Sequence, residues 1–223
     1  MGQSIIGEPT PYSTKADLDE LEKLGRRHDR PAGQILIEEN EDSDHVLFLL
    51  SGYVKILVSW PKRAVAIRAP GYFIGEMAAI RKQKRSAQVV ALTDIQALLI
   101  PADKFLQYLV DHPTVMLGLL RETDERLLEL TRKTASAELN SELKLAKVIL
   151  ELIDLGLGTS NGTAVRLRFG QRDLGELAGV SRESVAKAVA AFKKQDLVSV
   201  GRGSVTILDP QGLRRLADSE TDG

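Results

Sequence analysis

QRDLGELAGVSRESVAKAVAAF, residues 171–192, decides the fold of the C-terminal part of this chain. Two helices joined by a tight turn need a small residue where they approach each other, and Gly175 provides one. Gly179 permits a left-handed backbone between the helices without steric cost. The apolar residues that would face a common core are Leu174, Ala178, Val180, Val185, Ala188, Val189 and Phe192. The stretch therefore predicts a helix-turn-helix.

The second helix of this pair carries the predicted DNA-binding residues. Ser181 is placed to cap its first turn through the hydroxyl. Arg182, Glu183 and Lys187 fall on its exposed face, and such side chains can bond guanine or cytosine edges in the major groove. Arg172, in the helix before, completes the predicted set. The alternative is an ordinary surface with a Glu183–Lys187 pair one turn apart.

Two features around the helix pair support DNA binding. LVSVGRGSVTIL, residues 197–208, has the pattern of a β-hairpin wing around Gly201-Arg202-Gly203. Residues 166–202 hold eight cationic and four anionic side chains, a balance of +4, whereas the whole chain has a formal net charge of −1. A locally basic segment in a neutral protein is typical of a nucleic-acid-binding module. The segment predicts a winged helix-turn-helix over residues 140–218.

The N-terminal part has the pattern of a β-roll. A short helix is predicted from Lys15 to Gly25, and from Gly33 to Ile100 short apolar runs alternate with turns. The predicted strands lie in GQILIEEN (33–40), HVLFLLSG (45–52), YVKILVSW (53–60), AVAIRAPG (64–71) and AQVVALTDIQALLI (87–100). Many closely spaced strands favour a jelly-roll-like barrel, so the overall fold class is α+β.

A long helix is predicted after Pro113. Its apolar positions alternate by four and three residues, the spacing of helices that pack side by side. This seam consists of Met116, Leu120, Thr123, Leu127, Leu130, Thr134 and Ala137. Residues 111–139 are therefore predicted to form a dimerisation helix, and the alternative is a helix that lies on its own barrel. A further helix is predicted from Asn140-Ser141, and LGTSNGT (157–163) is predicted as a loop.

GEMAAIRKQKRSA, residues 75–87, has the chemistry of a phosphate and ribose clamp. Arg85 and Ser86 offer a bidentate cation and a hydroxyl to a phosphate, and Glu76 offers an acceptor to a sugar hydroxyl or a brace to the arginine. Gly75 would let the backbone approach a ligand, and the Met77 N–H would join an anion nest. The stretch also holds Arg81, Lys82 and Lys84, which we interpret as solvated loop charges.

Both stretches resemble one family. SRESVAK (181–187) is similar to the recognition helix of the cyclic-AMP receptor protein/Fnr (Crp-Fnr) superfamily of bacterial regulators, and residues 75–87, through Ala87, are similar to the phosphate-binding cassette of cyclic-nucleotide domains. In that family the positions of Arg182, Glu183 and Lys187 contact a TGTGA-like half-site, although the third is usually arginine. The resemblance covers roughly residues 30–217.

The resemblance implies an allosteric regulator of transcription. It implies a homodimer on an inverted-repeat operator, an effector site in residues 14–110, and contact with RNA polymerase. Cyclic AMP is the first candidate effector, and another cyclic nucleotide, such as cyclic GMP, stays open. Thr131 takes the place of one of the family's adenine-contacting hydroxyl residues and would meet a ligand in either protomer. A regulator with a degenerate, ligand-free roll and a regulatory subunit for a partner protein are the alternatives.

The composition excludes several chemistries. Without cysteine there is no disulfide, thiolate nucleophile or iron–sulfur cluster, and the three histidines are far apart, so no metal site or cofactor is expected. No catalytic constellation is evident, so an enzyme is not expected. No apolar run approaches the ~20 residues that span a bilayer, and residues 1–13 lack a signal-peptide pattern and are predicted to be flexible. We therefore expect a cytoplasmic protein with no membrane contact.

Overall fold

The computed structural model describes residues 15–42, 44–59, 62–135 and 140–218. Its contacts divide these into two compact units, with the boundary between Lys133 and Thr134. The predicted flexible segment 1–13 lies outside the described residues. Each unit combines helices with antiparallel sheet, as the predicted α+β fold class requires.

The described part of the N-terminal unit contains the strands β1 (Arg26–Arg30), β2 (Ile35–Ile37), β3 (His45–Ser51), β4 (Val54–Ser59), β5 (Lys62–Arg68), β6 (Phe73–Ile74), β7 (Gln88–Ala91) and β8 (Ile95–Pro101). They form two four-stranded antiparallel sheets, ordered β1-β8-β3-β6 and β2-β7-β4-β5. All five predicted apolar segments contain strands, so the predicted roll is confirmed.

The core of this unit lies on the central strands. Residues 46–49 of β3 are each at most 1% exposed, and the rings of Phe48, Phe73 and Phe105 stack in a tilted series with centroids 4.8 and 5.1 Å apart. Burying a large apolar side chain contributes about 1.5–3 kcal/mol to the free energy of folding, so these residues stabilise the packing of the roll. The strands that border the cassette are therefore rigidly placed.

Three elements of this unit were not predicted. β1 consists of RRHDR, which has no apolar alternation, yet each of its residues pairs with a residue of β8. β6 is only two residues long. Residues 76–81 form a short helix, α2 (Glu76–Arg81), so that Arg81, which we interpreted as a loop charge, ends a helix. β1 borders its sheet, where a strand can be charged because one edge faces away from the ladder.

The other helices of the unit are α1 (Lys15–Leu24), α3 (Ala102–Asp111) and α4 (Pro113–Ala135). α4 packs Val115 and Leu119 against the core of the roll, so the helix does lie on its own barrel. The seam residues Met116, Leu120 and Leu127 are nevertheless 41%, 61% and 62% exposed. The remaining seam members are Thr123, which is half-buried, Leu130 and Thr134, whose side chains lie outside the described part, and Ala137, which lies outside it altogether.

The described part of the C-terminal unit contains the elements α5 (Ser141–Asp154), β9 (Gly158–Asn161), β10 (Ala164–Leu167), α6 (Gln171–Ala178), α7 (Arg182–Lys194), β11 (Val198–Gly201), β12 (Ser204–Ile207) and α8 (Pro210–Asp218). The strands form one four-stranded sheet ordered β11-β12-β10-β9, and α5 packs against α6, α7 and α8. Asn140 caps α5, accepting from the Glu142 N–H at 3.2 Å.

The prediction of a loop at residues 157–163 is wrong. Residues 158–161 pair with residues 164–167 as a hairpin, and β10 then pairs with β12. The segment is rich in glycine, serine and threonine and lacks the alternation of apolar residues by which a strand is predicted. Asn161-Gly162, with Gly162 at φ +65°, was the available signal for a tight hairpin turn. The hairpin extends the predicted wing into a full sheet.

Candidate effector site and DNA-binding surface

The cassette residues 75–87 follow β6 and end where β7 begins. The side chains of Arg81, Lys82 and Lys84 are exposed, which confirms their interpretation as solvated charges. Arg85 is different, because it is only 3% exposed. Of the four cations in this stretch, the fold buries one.

Arg85 is held by main-chain carbonyls. Its Nη1 donates to the Gly75 carbonyl at 2.8 Å, and its Nη2 donates to the His45 carbonyl at 2.6 Å. Its own N–H donates to the Glu41 carbonyl at 2.9 Å, so the backbone here is fixed too. Hydrogen bonds of a charged donor are among the stronger ones in proteins. The guanidinium therefore ties α2 to the start of β3.

Gly75 makes room for this guanidinium. Its φ of +83° is strained for any other residue, and a Cβ built there would lie 2.3 Å from Arg85 Nη1. The sequence suggested that this glycine lets a ligand approach the backbone. In the structure the neighbour at that position is the side chain of Arg85.

The electrostatic surroundings of Arg85 are acidic. Burial lowers the pKa of the guanidinium, and the carboxylates of Asp44, Glu76 and Glu41 oppose that shift. Glu76 is itself only 5% exposed. An arginine keeps its charge at neutral pH even when its pKa is lowered. The structure thus brings the predicted cation and the predicted carboxylate into one buried, charged cluster.

The other predicted ligand-binding residues are more open. Ser86 is exposed, Met77 and Ala87 are half-buried, and the side chain of Thr131 on α4 lies outside the described part. The sequence did not indicate His45, whose carbonyl accepts from Arg85. That contact joins residues 40 positions apart through the main chain, so no side-chain pattern could have predicted it.

The helix-turn-helix has the predicted internal geometry. A Cβ at Gly175 would lie 3.0 Å from Val185 Cγ2, so the two helices meet at this glycine. Gly179 has φ +65°, ends α6, and donates its N–H to the Gly175 carbonyl. Leu174, Val185 and Phe192 have no measurable exposure. Gly175 is thus the small residue at the helix crossing, and Gly179 is the left-handed turn residue, as predicted.

The outer face of α7 is polar and open. Ser181 caps the helix, accepting from the Ser184 N–H at 3.1 Å. Arg182, Glu183 and Lys187 are exposed, and the last two form an ion pair at 2.8 Å with side chains 78% and 75% exposed. Such an exposed pair contributes little to stability. These groups are therefore available to another molecule.

Arg172 lies on α6, the helix before α7, and its side chain forms an ion pair with a residue of α6 itself. Its side chain is 81% exposed and its Nε lies 3.4 Å from Glu176 Oε1. On the wing, Arg202 is exposed at the turn between β11 and β12. Arg166 of β10 donates to Ser204 Oγ at 3.3 Å. The cations of the basic segment are thus mostly at the surface of the C-terminal unit.

Two family descriptions match the chain. "Cyclic nucleotide-binding domain" matches residues 27–112, and "Crp-like helix-turn-helix domain" matches residues 143–216. The chain belongs to the Crp-Fnr superfamily. Membership confirms the predicted fold class, a cyclic-nucleotide-binding β-sheet domain followed by helices and a Crp-type helix-turn-helix. It also identifies the chain as a DNA-binding transcription regulator.

Similar members of the superfamily include named regulators. The chain is 28% identical over 195 residues to the CRP-like cAMP-activated global transcriptional regulator of Mycobacterium tuberculosis, covering 85% of this chain and 87% of the relative. It is 24% identical over 185 residues to the cAMP-activated global transcriptional regulator CRP of Salmonella typhimurium, covering 81% and 88%.

Solved structures of the superfamily share the fold. The c-di-GMP responsive global regulator CLP of Xanthomonas campestris superposes with a TM-score of 0.77 at 19% identity, covering 88% of this chain and 99% of that one. A CRP/FNR-family transcriptional regulator of Thermus thermophilus gives 0.74 at 23% identity, covering 86% and 98%. Among the described residues, no helix is long and apolar enough to cross a bilayer, and no group of three or more metal-binding side chains occurs.

Proposed function

We propose that this chain is a homodimeric regulator of transcription whose DNA binding is controlled by a cyclic nucleotide, with cyclic AMP the first candidate. The observation that carries the proposal is the burial of both Arg85 and Glu76, at 3% and 5% exposure, inside the segment that matches a cyclic nucleotide-binding domain. A guanidinium and a carboxylate in one segment offer a ligand a donor for its phosphate charge and an acceptor for its sugar hydroxyl.

The effector would be held by the cassette. Two of the five N–H groups of Arg85 donate to carbonyls, so up to three can turn to a phosphate. The exposed Ser86 hydroxyl adds a donor beside it, and Glu76 accepts from the ribose 2′-hydroxyl. Gly75, Met77 and Ala87 form the backbone around the phosphate. Thr131 of either protomer would contact the base.

The DNA would be bound by α7. Arg182 can bond guanine O6 and N7, Glu183 can accept from cytosine N4, and Lys187 can reach guanine once it leaves its exposed ion pair with Glu183. The Ser181 hydroxyl and Arg172 would contact phosphates beside the half-site. Phosphate contacts fix the register of the protein on the duplex, while the base contacts specify the sequence.

Dimerisation would proceed through α4. Its exposed apolar positions Met116, Leu120 and Leu127 follow the spacing of a two-helix seam, and a second copy of the chain matches such a seam by symmetry. Two recognition helices would then enter successive major grooves, about 34 Å apart, on an inverted repeat. We further propose that the protein acts in the cytoplasm with RNA polymerase as partner, without catalysing a reaction.

One observation favours a second candidate, a regulator whose roll binds no ligand. Nη1 and Nη2 of Arg85, which would bind a phosphate, already donate to the Gly75 and His45 carbonyls in the structure. Three carboxylates also lie near the guanidinium. In this alternative Arg85 is a structural brace, and DNA binding is constitutive. Calorimetry separates the two candidates.

The test of the effector site is titration with cyclic AMP and with cyclic GMP. The full chain should release or absorb heat with at least one nucleotide, Arg85→Ala should abolish that binding, and Arg81→Ala, which removes an exposed cation of the same cassette, should preserve it. Binding that survives Arg85→Ala unchanged would contradict the site. Absence of binding to both nucleotides by the parent chain would favour the ligand-free roll.

The test of the DNA surface is fluorescence anisotropy on duplexes with TGTGA-like half-sites. Arg182→Ala should cost about 1–3 kcal/mol on this site and little on scrambled DNA. Equal losses on both duplexes would make Arg182 a phosphate contact only. A chain without any salt-sensitive DNA affinity would instead fit a regulatory subunit that acts on a protein.

A further inference from the structure

A buried ion pair joins the β-roll to the long helix. Arg68 is the last residue of β5 and Glu122 lies near the middle of α4, with Arg68 Nε 3.8 Å from Glu122 Oε1. The two side chains are 10% and 5% exposed. Arg68 also donates to the Ile67 carbonyl at 3.0 Å, and its Cζ lies 5.7 Å from the centroid of the Tyr72 ring.

The position of Glu122 on α4 gives the pair its importance. Leu119 and Val115, about one and two turns earlier, are buried on the same face. Among the described side chains of α4, Glu122 is the last buried one, since Asp124 and Leu127 are exposed. The ion pair is therefore the furthest described attachment of α4 to the roll.

The buried face and the seam lie on different sides of α4. At 3.6 residues per turn, Met116, Leu120 and Leu127 point about 100° around the helix from Val115, Leu119 and Glu122. A rotation of α4 on the roll would consequently turn the seam away from a partner. In several proteins a buried charge pair determines which of two similar packing arrangements forms, and the Arg68–Glu122 pair is placed to act in this way on the rotation of α4.

Arg68 also lies next to the proposed effector site in the chain. Residues 69–72 turn back from β5 and lead through β6 directly to Gly75 and Glu76. Tyr72, beneath the Arg68 guanidinium, is 1% exposed and its carbonyl accepts from the Leu49 N–H, so this connection is rigid. A displacement at the cassette can thus reach Glu122 through a short, packed segment.

We propose that Arg68 and Glu122 are positioning residues that fix the rotation of α4 on the β-roll and thereby the direction of its dimerisation seam. The proposal rests on the proposed homodimer. The role of the pair is orientation rather than stability, because a well-packed apolar pair at the same place would hold the helix at least as firmly. Replacing both charges therefore separates the two roles.

The experiment uses disulfide crosslinking, which is clean here because the chain contains no cysteine. Leu127→Cys places a thiol on the seam, and Arg121→Cys places one on an exposed off-seam position. Each is introduced into the parent chain and into the Arg68→Met/Glu122→Leu variant, and the crosslinked fraction is measured under mild oxidation. Thermal unfolding by circular dichroism checks that the variant is folded.

The parent chain should crosslink through Leu127→Cys and not through Arg121→Cys. In the folded Arg68→Met/Glu122→Leu variant, crosslinking through Leu127→Cys should fall about fivefold, and that through Arg121→Cys should rise. Retention of the parent pattern would overturn the proposal and leave the pair with a packing role. If the parent chain does not crosslink at Leu127→Cys and sediments as a monomer, the proposed homodimer itself fails.

Should the apolar variant unfold, Glu122→Gln provides the second arm. It keeps the shape of the side chain and removes its charge, so the same loss of seam crosslinking is expected. A folded Glu122→Gln chain that crosslinks like the parent chain would equally overturn the proposal.

Discussion

Replacing Gly75 by alanine tests whether the Arg85 guanidinium occupies the place that the structure gives it. Any residue with a Cβ is strained at φ +83°, by about 1–2 kcal/mol. The Cβ would also lie 2.3 Å from Arg85 Nη1, so the guanidinium would have to leave the Gly75 carbonyl. Losing a hydrogen bond with a charged donor costs about 1.5–3 kcal/mol more.

Gly71→Ala is the matched control. Gly71 has φ +91°, and a Cβ there meets nothing within 4 Å, so this variant carries the backbone strain alone. Urea unfolding followed by far-UV circular dichroism measures the free energy of unfolding of each variant. We expect Gly75→Ala to lower the free energy of unfolding by about 1.5–3 kcal/mol more than Gly71→Ala does.

The Arg85→Ala background identifies the cause of that difference. Without the guanidinium, Gly75→Ala should cost no more than the strain of its φ, so the difference from Gly71→Ala should disappear. Equal losses for the two glycine variants in the parent chain would refute the placement of Arg85. An undiminished difference in the Arg85→Ala background would assign the effect to another neighbour, such as Ile37.

Three further predictions address other parts of the chain. Ser181→Ala should lower the urea stability of the C-terminal unit by about 1 kcal/mol because α7 loses its cap, and an unchanged midpoint would contradict the cap. Partial burial, and after it the charges of Arg30 and Arg26, lower the pKa of His28. As the pH falls, the unfolded chain therefore binds this proton at a higher pH than the folded chain does, and stability falls as the pH drops below 6.5. His28→Gln should flatten that decline in a pH series of thermal melts, and an equal slope would exclude the histidine as a cause. Leu127→Glu should weaken dimerisation at least about tenfold in sedimentation equilibrium, whereas an unchanged constant would remove this residue from the seam.

Sequence patterns predicted the helix-turn-helix almost completely because its constraints are local. Gly175, Gly179 and Ser181 each have a role set by the backbone within a few residues, and the structure has each of them in that role. The apolar positions of α7 repeat with the helical period, which a sequence displays directly. Local geometry and long periodic segments are thus the features that can be predicted here.

Elements that depend on distant partners could not be predicted in the same way. β1, with the sequence RRHDR, is a strand because β8 pairs with it some seventy residues later. Arg85 is anchored by the carbonyl of His45, and a carbonyl is present at every residue. The ion pair of Arg68 and Glu122 joins a strand to a helix more than fifty residues on. Only the tertiary fold brings these groups together.

The predicted cassette illustrates both cases. Its residue types and spacing indicated that Arg85 and Glu76 belong together, and both are buried in one charged cluster. The same pattern suggested that Gly75 opens space for a ligand, yet that space holds the guanidinium. Spacing along a chain shows which groups can meet but does not show which atom fills the space between them.

The affinity of the full chain for an inverted-repeat duplex, measured by anisotropy with and without cyclic AMP at fixed salt, tests the central claim most directly. We expect a saturating cyclic nucleotide to tighten binding at least about fivefold on the TGTGA-like repeat, Arg85→Ala to abolish this gain, and Arg81→Ala to retain it. Specific DNA affinity that no cyclic nucleotide changes, in the parent chain and in Arg85→Ala alike, would contradict cyclic-nucleotide control.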